Sequence, residues 1–484
     1  MIKYILYILR NKIVVYVLTR YLVLFIGFIS SIFLAARLGP YYLGIWGFIL
    51  LLLNYFQYFD FGISDSTTVL LVQFKDDSTK TKNLETNSII LTSFLNSSIV
   101  LLSILYYLYP FSLFDKYNID HLFYFICLIA ILVNYNKLFF KVSRVKGKIF
   151  EIGFYQSIIV LLVFIVLFFA RERKLLLYLV GAYIIGHVFS MFFFFKSGNI
   201  VISGKPNLKD SFTIISKGFL LFIYNLFFYL ILLSTRTIIS TYYSVEEFGY
   251  FTLSFTLANA ILLILDAFTI LIIPKALDKF YSEDVNVIEN TLRLIKLNYV
   301  YVSYGLMFLT VIFFAILLVF LPKFYIAFKV INILSLSIVF STNSFAYSMY
   351  LRAINKENIL AMISFFSFII NIVVAIILAK FFKVNFSFIS LSILLSYLFF
   401  ASMCVYFGKR SIYNEVTFKS ILSETLSINL LVPIVLLIII TIFDLRIIIF
   451  VPFLSFVFLN FKFLKQIFVS SKQVLFNSKI FDIN

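Results

Sequence analysis

Cysteine is nearly absent from this chain, and so are histidine and tryptophan, while charge is sparse. Cys127 and Cys404 are the only cysteines in 484 residues and both sit in apolar runs, which speaks against a disulfide framework and against a thiolate metal site. Charged residues make up 13%, about half the usual share of a soluble domain. No Gly-rich phosphate loop occurs, so neither a P-loop nor a Rossmann unit is encoded, and ATP is not the direct energy source within this chain. Alternating ten-residue strands are missing too, which excludes a membrane barrel. No loop is long enough to form a soluble catalytic domain.

What the chain does contain is apolar sequence, at 63% of residues and a mean hydropathy of +1.06. Runs of about twenty apolar residues, enough to cross a hydrocarbon core as a helix, recur from end to end. Fourteen spans are expected, near 13–36, 42–70, 88–109, 119–139, 149–170, 175–195, 213–235, 248–273, 297–321, 324–350, 358–380, 385–407, 426–443 and 446–469. The fold class is therefore an all-α polytopic membrane protein. The basic, amphipathic start MIKYILYILRNK reads as an interfacial lead-in to the first span and not as a cleaved signal peptide.

The net charge of +18 is spread between hydrophobic runs and forms no basic face, so nucleic acid is not an expected partner. Topology accounts for it. Lys and Arg concentrate in alternate loops, at Lys137 to Lys148, Lys196 to Lys217 and Pro274 to Lys296, which puts both termini in the cytoplasm by the positive-inside rule. Arg171 to Lys174 falls on the opposite side, a single short exception.

The sequence also repeats. RLGPYYLGIWGF is echoed by YYSVEEFGYFTL, aligning Gly44 with Gly249, and KVSRVKGKIF by MYLRAINKENIL, aligning Arg144 with Arg352 and Lys148 with Lys356. The offset is six spans, an even number, so the halves share one orientation. Two six-helix bundles, 1–205 and 206–415, are expected to be related by a parallel pseudo-two-fold axis, with 416–484 adding two helices and a cytoplasmic tail. The bland alternative is chance matching of aromatic-glycine pieces in a Phe-rich chain.

Ionisable residues inside spans are the functional suspects, because each is costly in hydrocarbon. Arg20, about seven residues into the first span, either faces a wet cavity and binds an anion or snorkels to the interface. Asp60 and Asp266 follow the paired glycines by one span length and read either as a carboxylate pair for cation coupling or gating, or as interface caps paired with loop lysines. His187 offers either a proton relay or an interhelical hydrogen bond. Lys217 and Arg236 open and close the seventh span, as gate residues or as interfacial anchors. Arg144 and Arg352, in the paired basic loops, either meet incoming phosphate or obey the inside-positive bias.

The stretch from Tyr16 to Asp65 carries a resemblance. An Arg in the first span, Arg20, is followed by Arg37, Leu38, Gly39, Pro40 and Gly44, and then by Asp60, Phe61 and Gly62 closing the second span. This order resembles the polysaccharide exporters of the multidrug/oligosaccharidyl-lipid/polysaccharide superfamily, the Wzx-type O-antigen and capsule repeat-unit flippases. The resemblance implies a transporter and not an enzyme. Its cargo would be an undecaprenyl-diphosphate-linked oligosaccharide, carried from inner to outer leaflet of a bacterial cytoplasmic membrane by alternating access. Membrane lipid, a polysaccharide polymerase and a chain-length regulator would be its partners. It implies no cofactor beyond a coupled proton or sodium ion, with Arg20 on the diphosphate.

Two features depart from that pattern. Asn225 stands where a second-half counterpart of Arg20 would be, and fourteen spans exceed the twelve expected of O-antigen flippases, which keeps lipid-linked peptidoglycan precursor flippases open. A cation-coupled multidrug exporter of the same superfamily would instead display buried carboxylates. A membrane glycosyltransferase or polysaccharide polymerase would need a long external loop.

Overall fold

A computed structural model describes residues 12–110, 112–197, 200, 202–281, 284–413 and 415–465; the side chains of 12–18, 112–113, 149, 220–221, 263–264, 266–275 and 277–278 are outside the description. Among the described residues the regular structure is helical. Among the described residues nine helices are long and apolar enough to cross a membrane, ten if a pair bent by 62° counts as one span. Two shorter apolar helices, Phe150–Val166 and Arg446–Leu459, accompany them.

The first helix, α1 (Lys12–Phe56), holds the first span and most of the second. The tight turn expected at RLGPYY is a single non-helical residue, Gly39 at φ 70° and ψ 172°, where two helices meet at a kink ahead of Pro40. A proline cannot donate to the preceding turn and clashes with it, so two arms share one continuous chain. The second span is not continuous to residue 70 as expected. It breaks at a 3-10 turn, Gln57–Asp60, followed by Phe61 (φ 44°) and Gly62 (φ 80°), then resumes as α2 (Ile63–Gln73). Left-handed backbone at consecutive residues cannot continue a right-handed helix.

The helices α3 (Ser78–Leu108), α4 (Phe123–Val145), α5 (Ile149–Val166), α6 (Glu172–Lys196) and α7 (Leu208–Tyr242) follow. Next come α8 (Val245–Phe280) and α9 (Val285–Ile295), so most of the expected cytoplasmic loop at Pro274 to Lys296 is helical. A π-helical turn, Lys296–Val300, leads into α10 (Tyr301–Phe320), and α11 (Ala327–Thr342), α12 (Phe345–Ala353), α13 (Glu357–Ile376) and α14 (Leu391–Arg410) complete the bundle. The chain closes with α15 (Phe418–Thr425), α16 (Ile428–Ile442) and α17 (Val451–Leu459).

The chain divides into two compact units, Met1–Leu253 and Ser254–Asn484. In the first, Ile63, Leu70, Leu84, Leu138, Phe194 and Ile214 form one buried cluster. Ile214 belongs to α7, which thus packs with the helices before it. In the second, α11 is the hub, with almost every residue buried. Small polar residues on neighbouring helices, Ser364, Ser367, Ser392 and Ser396, are buried with their hydroxyls returned to their own helix backbones. Small residues let helices approach where hydrocarbon gives no hydrophobic drive. Large apolar side chains such as Phe94, Tyr107, Phe168 and Phe320 point outward, as a lipid-facing surface requires.

The two basic turns aligned in sequence share one geometry. Gly147 (φ 67°) and Asn355 (φ 56°) take the left-handed position after their helices. Lys148 N–H returns to Ser143 O and Lys356 N–H to Leu351 O, each at 2.9 Å. This is the Schellman closure of a helix, reproduced in register in both halves.

Gly44 and Gly249, the glycines paired by the repeat, touch. A Cβ on Gly249 would lie 1.9 Å from Pro40 O and 3.1 Å from Gly44 N, and one on Gly44 would lie 2.0 Å from Val245 O. Gly249→Ala is therefore expected to destabilise the protein by about 1–3 kcal/mol, the cost of an overpacked contact. Gly181→Ala, with nothing within 4 Å of the new methyl, is expected to leave thermal unfolding in detergent unchanged.

Candidate functional site

The site is a seam in the first unit, where the second arm of α1 and α2 run along α7 and the start of α8. Glycines pinch it at both ends. Gly44 and Gly47 meet Val245, Gly249 and Thr252 at one end, while Gly62 and Gly218 meet at the other, a Cβ on Gly218 falling 2.8 Å from Gly62 O. Eighteen residues separate Gly44 from Gly62, which at 1.5 Å per residue is about 27 Å, close to the thickness of the hydrocarbon core.

Between these crossings lie a cation and a set of rings. Arg236 on α7 is 2% exposed and its Nη2 donates to Gly47 O at 3.0 Å. A Cβ on Gly47 would lie 2.1 Å from Thr252 Oγ1, so the missing side chain there admits the start of α8. One residue on, Thr237 shares a 2.6 Å hydrogen bond with the Tyr55 hydroxyl. Tyr58 packs on Tyr229 and Phe222 at 5.6 and 6.3 Å between ring centroids, and Phe222 also meets Phe61 at 5.4 Å. A buried guanidinium with hydroxyls and aromatic faces beside it can bind an anion and stack on a sugar ring.

The Gly62 end is tied by lysines of α4. Lys137 Nζ lies 2.9 Å from Asp60 Oδ2, Lys141 pairs with Asp65 at 2.6 Å, and Lys146 with Glu85 at 2.7 Å. Lys137 and Lys141, four residues apart, share one helix face and meet carboxylates on either side of the break in the second span. Asp60 is 2% exposed and also accepts from Gly62 N–H at 3.2 Å. On α7, the buried Asp210 pairs with Lys80, and Lys217 donates to Gln73 Oε1 at 2.6 Å. At the Gly44 end Lys116 closes α7, donating to Ser240 O, Thr241 O and Tyr243 O. Burial holds its ammonium below the ordinary lysine value, with Glu247 opposing.

The residues singled out in the sequence thus have distinct surroundings. Arg236, expected to close its span near the face, lies inside α7, which runs on to Tyr242. Arg20 is half-buried on the first arm of α1. His187 is 3% exposed in α6 beside Asn136, which donates to His187 O at 2.9 Å, with Tyr155 and Tyr183 flanking the ring. Arg144 and Arg352 are exposed at the paired turns and Lys217 is exposed on α7. The side chain of Asp266 lies outside the described residues. The basic partners of Asp60 and Asp65 were unforeseen individually, although the 137–148 cluster held them. Among the described residues no group of three or more His, Cys, Asp or Glu side chains could hold a metal ion.

No protein-family model and no curated protein matches the sequence. Solved structures do. One described as the lipid II flippase MurJ in an inward closed conformation superposes with a TM-score of 0.71 at 16% identity, covering 94% of this chain and 99% of that one. An inward-facing multidrug resistance MATE family transporter of the MOP superfamily gives 0.67 at 13% identity, covering 81% and 94%. The chain has the fold of the MOP superfamily transporters. A MATE structure in the bent conformation gives 0.54 at 13% identity, covering 86% and 98%.

Lys137→Ala is expected to destabilise the protein by about 2 kcal/mol, less than a fully buried pair because the lysine keeps part of its water. Adding Asp60→Asn should recover most of that loss, as read by thermal unfolding in detergent; a double variant no more stable than the single one would contradict the pairing.

Proposed function

We propose that this chain is a flippase that moves a polyprenyl-diphosphate-linked oligosaccharide from the cytoplasmic to the outer leaflet of a bacterial cytoplasmic membrane, both termini lying in the cytoplasm. The observation that carries this reading is the charge inside the spans. Arg236 places a guanidinium in the buried middle of the seam, and the buried carboxylates among the described residues, Asp60, Glu85 and Asp210, are each paired with a lysine. A site for cationic drugs needs carboxylates to spare; a site for diphosphate needs a guanidinium.

The polyprenyl tail stays in lipid while the head group, whose charge and hydroxyls are prohibitive in hydrocarbon, crosses in a hydrated path. Transport proceeds by alternate parting of the seam at its two glycine crossings, which exchanges the Arg236 contact to Gly47 O for contact to phosphate, with Arg20 as a second cationic contact. Lys217, Arg144 and Arg352, on the side assigned to the cytoplasm, receive the diphosphate as it enters. An inside-negative potential favours outward movement of an anion by about 2.3 kcal/mol per charge per 100 mV. Asp60, Asp266 and His187 are the candidates for a coupled proton or sodium ion. A polysaccharide polymerase and a chain-length regulator would act on the product.

A second reading, flipping of a lipid-linked peptidoglycan precursor, is favoured by the superposition on the MurJ structure over nearly the whole of both chains. Both readings share the diphosphate and differ in the sugar.

Reconstituted with a fluorescent polyprenyl-diphosphate oligosaccharide, Arg236→Ala and Arg20→Ala should each slow translocation about tenfold or more, the loss of a charged hydrogen bond to phosphate. Lipid II as the faster cargo would select the second reading. Translocation unaltered in both variants, or efflux of cationic dyes in place of lipid, would refute the anion site.

A further inference from the structure

The second unit holds a cavity of about 390 Å³ that the transport reading does not use. It opens where α9, α12, α14 and the bent α15–α16 pair converge. Its charged lining is Glu289, Arg293, Lys296, Lys409 and Glu424, three cations against two anions. Glu424 is occupied by Lys296 at 2.8 Å, with Lys409 at 3.9 Å. The Arg293 guanidinium makes no ion pair among the described residues and is exposed toward the cavity it lines.

Two further features suit an anion there. The first residue before α16, Ser427, lines the cavity, and its hydroxyl pairs with the Tyr301 hydroxyl at 3.2 Å and caps none of the helix amides. The positive end of a fifteen-residue helix is therefore presented beside three cationic side chains. Asn343, 6% exposed, also lines the cavity; its amide group donates to Tyr304 Oη and Thr425 O, both at 3.0 Å, and its Oδ1 has no hydrogen-bond partner among the described residues. That oxygen can accept from a hydroxyl.

The frame fixes the depth of the site. On α9, Ile288, Thr291, Leu292 and Ile295 are buried on one face, with Glu289 and Arg293 off it. On α15, Phe418 and Leu422, one turn apart, are exposed. Short amphipathic helices of this kind lie in the boundary between headgroups and acyl chains.

From this geometry we infer that the cavity is a binding site for a phosphate group bearing hydroxyls, carried by a lipid headgroup, with Arg293, Lys296 and Lys409 as its anion contacts. Free phosphate has the same chemistry, and the test separates the two sources. The inference does not depend on which cargo the protein transports, because its readout is lipid retention and not translocation.

The full chain, purified in nanodiscs, is examined by native mass spectrometry for retained phosphatidylglycerol against a neutral diacylglycerol probe. Arg293→Ala with Lys409→Ala should lower phosphatidylglycerol retention about tenfold through loss of charged hydrogen bonds. Arg293→Lys should keep most of it. Glu289→Gln, which removes a repelling charge, should raise retention, so the inference stays testable if the double variant fails to fold. Millimolar inorganic phosphate that displaces the lipid would assign the site to free phosphate; lipid that resists displacement assigns it to a headgroup. Retention equal to that of diacylglycerol, or unaltered in both the double variant and Glu289→Gln, would overturn the site.

Discussion

Close approach of backbones at glycine is the constraint on which the rest of the first unit depends. Where α1 meets the start of α8 at Gly44, Gly47 and Gly249, and where Gly62 meets Gly218, side chains of any size would push the helices apart. Only at this separation can the Arg236 guanidinium reach a main-chain carbonyl and Tyr55 reach Thr237. Hydrocarbon offers no hydrophobic drive between helices, so contacts of this kind must come from van der Waals fit and interhelical hydrogen bonds.

The same solvent explains how charge is distributed. An unpaired carboxylate in or near hydrocarbon is costly, and Asp60 and Asp65 are matched by two lysines on one helix, Lys137 and Lys141, while Lys146, just past its end, meets Glu85. The first two pairs brace the break at Gln57–Gly62, where the backbone leaves the helix and its carbonyls lose their regular partners. The guanidinium in the middle of the seam donates to a main-chain dipole, the Gly47 carbonyl.

Much of this architecture was legible because a membrane simplifies the code. Twenty apolar residues mean a helix, and the regular structure of the described residues is helical. The repeat was legible through its turns: Gly147 and Asn355 are among the few residue types that accept positive φ, so their alignment reported a shared backbone. Tertiary relations were not. The sequence pairs Gly44 with Gly249 as equivalents, but nothing local says that they touch. Arg236 looked like a helix end because apolar residues thin out after Leu233, whereas STRTIISTY continues the helix with hydroxyls returned to its own backbone. The break at Phe61 was hidden for the opposite reason, since one Asp and one Gly in an aromatic stretch do not disturb a hydropathy profile.

The central claim is that the seam between α1 and α7 opens as cargo crosses. Cysteines replacing Tyr55 and Thr237, bridged by a thiol reagent of matched reach in reconstituted vesicles, test it most directly. The account predicts that the bridged protein stops moving labelled polyprenyl-diphosphate oligosaccharide and that reduction of a cleavable bridge restores the rate of the unbridged variant. Undiminished translocation through the bridged protein would contradict it.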